Sequence, residues 1–282
     1  MESMLLISGA AGGLGSALAV EAARLGYDLL LTDVRPEGAE LARFLAEKYE
    51  VEVLYRVCDL CSSDGRAEFL SDLRTEGYRF WGLLNVAGLD YEGAFTERSR
   101  EQILRLLRIN IEATLDMTHG LLALRDPERT FRLLNVCSMA AFQPMPYKAM
   151  YAASKRFLLD FSRALAEELR GTATVTALCP AGLPTTVETM RRIFAQGFWG
   201  RVTAMDTQAV ARGTLRHLLR GRRVYIPGVF NQVICRLSGL LPAGLVARFV
   251  GKRWGAAQSD MAVWQITQPN PEPGAFAVAG VK

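Results

Sequence analysis

Two hydrophobic patterns alternate along the first four-fifths of the chain. Short apolar, β-type runs at Leu5–Ser8, Asp28–Thr32, Val51–Val57, Gly82–Val86, Phe131–Cys137, Val175–Cys179 and Arg223–Ile226 read as strands. Between them, Ser16–Leu25, Gly38–Lys48, Ser63–Glu76, Gln102–Leu124 and Ala152–Leu169 carry apolar residues at helical spacing, and Gly26 and Gly171 stand where two of these helices stop. Strands that alternate with helices predict a parallel sheet covered on both faces. The expected fold is therefore α/β, a Rossmann-type doubly wound sheet of about seven strands.

No repeat or linker divides this series, so residues 1–228 are expected to form one domain. Residues 229–267 read as an amphipathic helical extension, with Leu241-Pro242 separating two helices. Residues 268–282, rich in Pro, Gly and Ala, are expected to be loosely ordered.

Composition narrows the class. The 282 residues are 50% hydrophobic and 22% charged, as a chain with a large packed core should be. No uninterrupted apolar stretch is long enough to span a bilayer. The run Met4-Leu5-Leu6-Ile7 breaks at once into glycines, so no signal peptide and an intracellular (cytoplasmic) location are expected. Cys58 and Cys61 form a C-x-x-C, but neither a second pair nor a nearby histidine completes a zinc set, and the cysteines read as small hydrophobes. No metal is expected. The net charge of +4 is uneven: Thr207–Ser259 holds nine Lys and Arg and no Asp or Glu. Aromatic residues are not interleaved there as a base-stacking platform needs, so nucleic acid fits poorly. An anionic membrane surface or an acidic ligand fits better.

The first strand runs into Ser8-Gly9-Ala10-Ala11-Gly12-Gly13-Leu14-Gly15 and then a helix. Glycines let the backbone approach a pyrophosphate with no Cβ in the way, and the helix N-terminus offers free N–H groups. A glycine cluster alone is weak, since helix-packing turns use glycine too; the strand–turn–helix context makes it a dinucleotide site. Asp33 ends the second strand, where a carboxylate accepts hydrogen bonds from the adenosine ribose and repels a 2′-phosphate. That favours NAD over NADP, although Arg35 offers a place for the phosphate. Asp59, followed by Leu60, is placed to meet the adenine amino group. Asn85, Ala87 and Gly88 close the fourth strand, where a flat nucleotide could lie.

Tyr151-Ala152-Ala153-Ser154-Lys155 sets a phenol and an ammonium on one face of a helix. A free tyrosine has a pKa near 10, and a neighbouring ammonium favours the phenolate. Ser138, after the fifth strand, could bind a substrate oxygen.

With these residues the chain resembles the short-chain dehydrogenase/reductase family, over Met1–Pro227. The glycine turn is similar to T-G-x-x-x-G-x-G, with Ser8 for the threonine, and Asn85-Val86-Ala87-Gly88 to N-N-A-G. Asn110, Ser138, Tyr151 and Lys155 match the family's tetrad. The resemblance implies Tyr151 as general acid/base, Lys155 binding the nicotinamide ribose and lowering the tyrosine pKa, Ser138 orienting the substrate and Asn110 holding a water in the proton relay. The loop Cys179-Pro180-Ala181-Gly182 departs from the family's Pro-Gly by one alanine, so Pro180 and Gly182 are expected at the nicotinamide in an altered geometry. A homodimer or homotetramer is implied.

On the substrate side, Met139, Phe142, Met145, Phe194, Phe198 and Trp199 suggest a broad apolar pocket with few hydrogen-bonding groups. A steroid, bile acid or fatty-acyl ketone is expected, since the extension resembles the branch with hydroxysteroid dehydrogenases and 3-oxoacyl reductases. The extension is expected to add packing, cap the pocket, bury a subunit interface or touch a membrane. The rival class is a non-catalytic dinucleotide sensor on the same fold; its mark would be a broken tetrad.

Overall fold

A computed structural model describes residues 3–185, 187–195, 202–238 and 240–267. The elements run β1 (Met4–Ser8), α1 (Gly13–Arg24), β2 (Leu29–Asp33), α2 (Gly38–Tyr49), β3 (Val53–Val57), α3 (Ser63–Thr75), β4 (Phe80–Asn85), α4 (Arg100–Leu107), α5 (Ala113–Ala123), β5 (Phe131–Val136), α6 (Ala149–Glu168), β6 (Ala173–Leu178), α7 (Val187–Ala195), α8 (Thr207–Leu219), β7 (Val224–Tyr225), α9 (Val229–Ser238) and α10 (Ala243–Thr267). The strands form one parallel sheet in the order β3-β2-β1-β4-β5-β6-β7. The order reverses between β1 and β4, which opens a crevice at the carboxyl ends of those strands.

Alternation along each strand divides the core into two layers. Leu5, Ile7, Leu29, Leu31, Leu84 and Leu134 face one side and pack against α1, α2 and α8. Met4, Leu6, Leu30, Leu83 and Leu133 face the other and pack against α3, α5 and α6. The inner strands β2, β1, β4, β5 and β6 are largely buried on both faces, as a parallel sheet requires, while the edge strands β3 and β7 are half-buried.

One feature departs from the sequence reading. The helix expected over Gln102–Leu124 is α4 and α5 joined by a π-helical turn, Arg108–Glu112. That turn carries Asn110, which is fully buried. The extension forms two helices on either side of Leu241-Pro242, the second running to Thr267. It docks through Val246, Val250 and Trp254 on Met145 and Tyr147, just before α6. Among the described residues no helix is long and apolar enough to cross a membrane. Residues 268–282 lie outside the described residues.

Candidate active site

The β1–α1 loop turns at Gly9, whose φ is +67°. A Cβ there would come within 2.7 Å of the Ala87 backbone, so glycine is what lets this turn lie against the end of β4. Helix α1 starts after Gly12 with no side-chain cap and no acidic residue in its first turn. Its first N–H groups and positive dipole end are therefore left for an anion. Gly9, Gly13, Leu14 and Gly15 line a cavity of about 1180 Å³. At Gly13 a Cβ would fall 2.5 Å from Thr185 Cβ, so the chain after β6 closes over the turn. Pro180, Ala181 and Gly182 line the same cavity. Ser8 stands behind its wall, where Oγ accepts from the N–H groups of Val86 (3.2 Å) and Ala87 (3.4 Å) and fixes the end of β4.

Asp33 lines the cavity at the end of β2. Its Oδ2 accepts from Ala11 N–H (3.1 Å) and its Oδ1 from Arg35 N–H (3.2 Å). The Arg35 guanidinium completes a bidentate pair at 3.2 and 3.3 Å. The two side chains with opposed cofactor preferences are thus partners of each other. Asp59 and Leu60 also line the cavity. Asp59 Oδ1 accepts from Cys61 N–H (2.9 Å), and the Leu60 carbonyl accepts from Arg66 (2.7 Å). Arg66 is buried, 2% exposed, and paired with Asp116 and Glu112 across α3 and α5. Burial pushes the Cys58 thiol up to about 11, which keeps it protonated and inert as a nucleophile.

Asn85 does not reach the cavity. Its amide donates to Thr118 Oγ1 (3.0 Å) and to Asn135 Oδ1 (2.9 Å), and Asn135 donates to Ser162 on α6 (2.9 Å). Asn110 is likewise behind the wall. Its Oδ1 accepts from Leu89 N–H (2.8 Å), and its amide donates to the Leu89 carbonyl and to Ser154 Oγ, both at 3.0 Å. It ties the loop after β4 to α6.

Ala87, Gly88, Ser138, Tyr151 and Lys155 meet at the cavity. The Ser138 hydroxyl accepts from Ala140 N–H (3.1 Å) and faces the same cavity as the Tyr151 phenol. Lys155 Nζ lies 5.7 Å from the Tyr151 ring centroid and donates to the Val136 carbonyl (2.8 Å). Burial raises the Tyr151 pKa above the usual phenol range and the charge of Asp90 raises it further, while the neighbouring Ser138 hydroxyl lowers it. Burial also lowers the Lys155 ammonium. Desolvation therefore opposes the phenolate–ammonium pair expected from the sequence and favours a protonated phenol in this cavity.

The substrate side differs in composition from the sequence reading. Met139 and Met145 line the cavity. Phe142 instead packs with Cys137, Leu158 and Ala177 under the sheet end, and Phe194 is 63% exposed. Aromatic character alone does not say which way a side chain turns. Phe198 and Trp199 lie outside the described residues. The missing wall comes from the extension: Ile234, Leu241, Leu245, Val246, Phe249 and Val250. Asp90, Lys148 and Arg253 also line it, so the cavity is more polar than expected. Lys148, the N-cap residue of α6, is paired with Asp90 and Glu92.

A doubly wound sheet with a glycine turn at its switch point and a tyrosine–lysine helix beside it defines a dinucleotide-binding oxidoreductase fold. The short chain dehydrogenase family model matches residues 3–194, and the chain belongs to that family. A relative from Gallus gallus, hydroxysteroid dehydrogenase-like protein 1, is 32% identical over 164 residues, covering 57% of this chain and 49% of that protein. A very-long-chain 3-oxoacyl-CoA reductase from Laccaria bicolor is 29% identical over 169 residues, covering 58% of this chain and 50% of its own. The chain spans about half the length of these relatives. A solved short-chain dehydrogenase from Sphingobium yanoikuyae in complex with NADPH is 25% identical with a TM-score of 0.68, covering 98% of this chain and 99% of its own.

Proposed function

We propose that the protein is an NAD(P)-dependent oxidoreductase that interconverts a secondary alcohol and a ketone on a hydrophobic substrate. The observation that carries this reading is that Ser138, Tyr151 and Lys155 line one cavity with the glycine turn. The uncapped start of α1 suits the pyrophosphate, and Lys155 suits the nicotinamide ribose. When bound, the cofactor supplies or accepts the hydride. In the reductive direction Tyr151 donates its proton to the nascent alkoxide while Ser138 holds the same oxygen. In the oxidative direction the phenolate takes the proton back. Asn110 acts at a distance, by fixing the loop at Leu89 against α6.

Asp33 supports NAD as the preferred cofactor, with Arg35 as the group able to accommodate NADP. The apolar walls support a steroid or bile acid. A fatty-acyl ketone is the second reading, supported by Leu241, Leu245 and Phe249, which line the cavity and are exposed at its rim, so a long apolar chain can extend outward. A homodimer or homotetramer is proposed on the exposed Leu107 of α4 and Phe157 of α6.

Screening NADH and NADPH oxidation against steroid, bile-acid and acyl ketones tests the reading. Tyr151→Phe should abolish turnover and leave NADH binding nearly unchanged. A variant that kept the wild-type rate would remove Tyr151 from the chemistry, and a wild-type protein that bound NADH but turned over none of these ketones would favour the sensor reading.

A further inference from the structure

The outward faces of α9 and α10 are apolar. Val229 is 78% exposed and Leu240 80%, and Leu237, Leu241, Leu245 and Phe249 are each more than half exposed. Val229, Val233 and Leu237 recur at one-turn spacing on α9, as do Leu245 and Phe249 on α10, so each helix turns an apolar stripe to solvent. Leu237, Leu241, Leu245 and Phe249 also line the cavity that holds Tyr151. A side chain that faces solvent and cavity at once stands at the rim, so the cavity opens through this patch. Contiguous apolar surface of this kind marks an interaction site.

The charges around the patch select its partner. Arg236, Arg248 and Lys252 are exposed on the same two helices, and Thr207–Ser259 holds no Asp or Glu. A second copy seated on the same patch by two-fold symmetry would bring cation against cation. An anionic bilayer matches both features, since the apolar stripes reach the acyl boundary while the basic side chains meet the headgroups.

We propose that α9 and α10 form a platform that seats the protein peripherally on an anionic phospholipid bilayer, with the cavity mouth facing the lipid. The docking follows from the patch itself. That a lipophilic ketone or alcohol reaches Tyr151 from the bilayer rests in addition on the oxidoreductase reading above.

Co-sedimentation of the full chain with phosphatidylcholine vesicles, and with phosphatidylcholine–phosphatidylserine vesicles, tests the docking without any turnover. Binding is expected to the anionic vesicles and to weaken with added salt. Val233→Glu with Leu240→Glu, neither residue lining the cavity, should cut that binding by roughly tenfold or more. Arg248→Gln and Lys252→Gln should each cut it about fivefold. Light scattering should give these variants the wild-type mass, and their NADH affinity should be unchanged. Absent pelleting of the wild type, or undiminished pelleting of Val233→Glu/Leu240→Glu, overturns the proposal. So does a wild-type dimer that this variant splits, because the patch would then belong to a second copy. Inactivity toward every ketone tried would remove the oxidoreductase reading and leave the vesicle result standing.

Discussion

The Lys148 ammonium lies 4.8 Å from the centroid of the Trp254 ring, which joins the C-terminal extension to the start of the helix that carries Tyr151. The same ammonium lies 5.5 Å from the Tyr151 ring and is held by Asp90 and Glu92. The preceding residue, Tyr147, has a φ of +65°, a conformation that a bulky side chain seldom adopts. Its carbonyl accepts from Gly93 N–H (2.8 Å), and its ring packs on the Val246–Val250–Trp254 cluster. Helix α10 therefore supports the backbone that aims Tyr151.

Trp254→Ala should weaken catalysis through this link. A cation–π contact contributes roughly 0.5–2 kcal/mol, so kcat/KM should fall about two- to thirtyfold. NADH affinity should not change, since the glycine turn is built by β1 and α1. Trp254→Phe, which keeps a ring face for Lys148, should restore most of the loss. Equal losses in both variants would mean that packing alone matters at this position.

Asp90 supplies a test by pH. Burial holds the Tyr151 phenol above the usual range, and the charge of Asp90 pushes it further in the same direction. Asp90→Asn removes that charge and leaves the Lys148 ammonium less neutralised. Both effects stabilise the phenolate, so the Tyr151 pKa should fall. Alcohol oxidation needs the phenolate, so its rise with pH should move to lower pH. Ketone reduction needs the phenol, so its alkaline decline should move the same way. Rate profiles measured in both directions check this; a limb that stays fixed or moves upward would detach Asp90 from Tyr151.

Local features of the sequence were the legible ones. The sheet followed from apolar runs, and the glycine turn, Ser138, Tyr151 and Lys155 from short motifs within single loops or turns. The π-helical turn at Arg108–Glu112 escaped because one extra residue per turn barely shifts the apolar spacing around Asn110. Ser8, Asn85 and Asn110 match family motifs yet lie behind the wall, because a motif records which residues a site needs and not which of them touch a ligand. Lys148, Asp90 and Trp254 are far apart in the chain: the loop after β4 brings Asp90 to the start of α6, and α10 brings Trp254 there. Phe142 and Phe194 were misplaced because apolar character does not choose between cavity, core and surface.

The Asp33–Arg35 pair should govern cofactor choice. Asp33→Ala would remove the acceptor for the ribose hydroxyls and release Arg35 toward a 2′-phosphate. Hydrogen bonds to a charged group contribute about 1.5–3 kcal/mol. The NADPH/NADH ratio of kcat/KM should therefore rise about ten- to hundredfold. Arg35→Ala with Asp33 intact should lower NADPH use and leave NADH use nearly unchanged. A preference that ignores both substitutions would place discrimination outside this pair.

Asn85 and Asn135 face each other in the β4–β5 register, and through Ser162 they bind the centre of the sheet to α6. Every partner in this chain is buried, so a lost member leaves polar atoms that water cannot reach. Each such orphan costs about 1–3 kcal/mol. Asn135→Ala withdraws the acceptor of Asn85 and the donor to Ser162 together, so a cost of about 2–4 kcal/mol is expected. At about 2–4 °C per kcal/mol, Tm should drop by several degrees in thermal denaturation. Asn85→Ala should cost a similar amount, because it strands Asn135 Oδ1 and Thr118. The double variant should lose less than the two single losses added, since groups that bond each other are not independent. Strictly additive losses would show that Asn85 and Asn135 stabilise the sheet separately, and that no continuous polar chain reaches from β4 to α6.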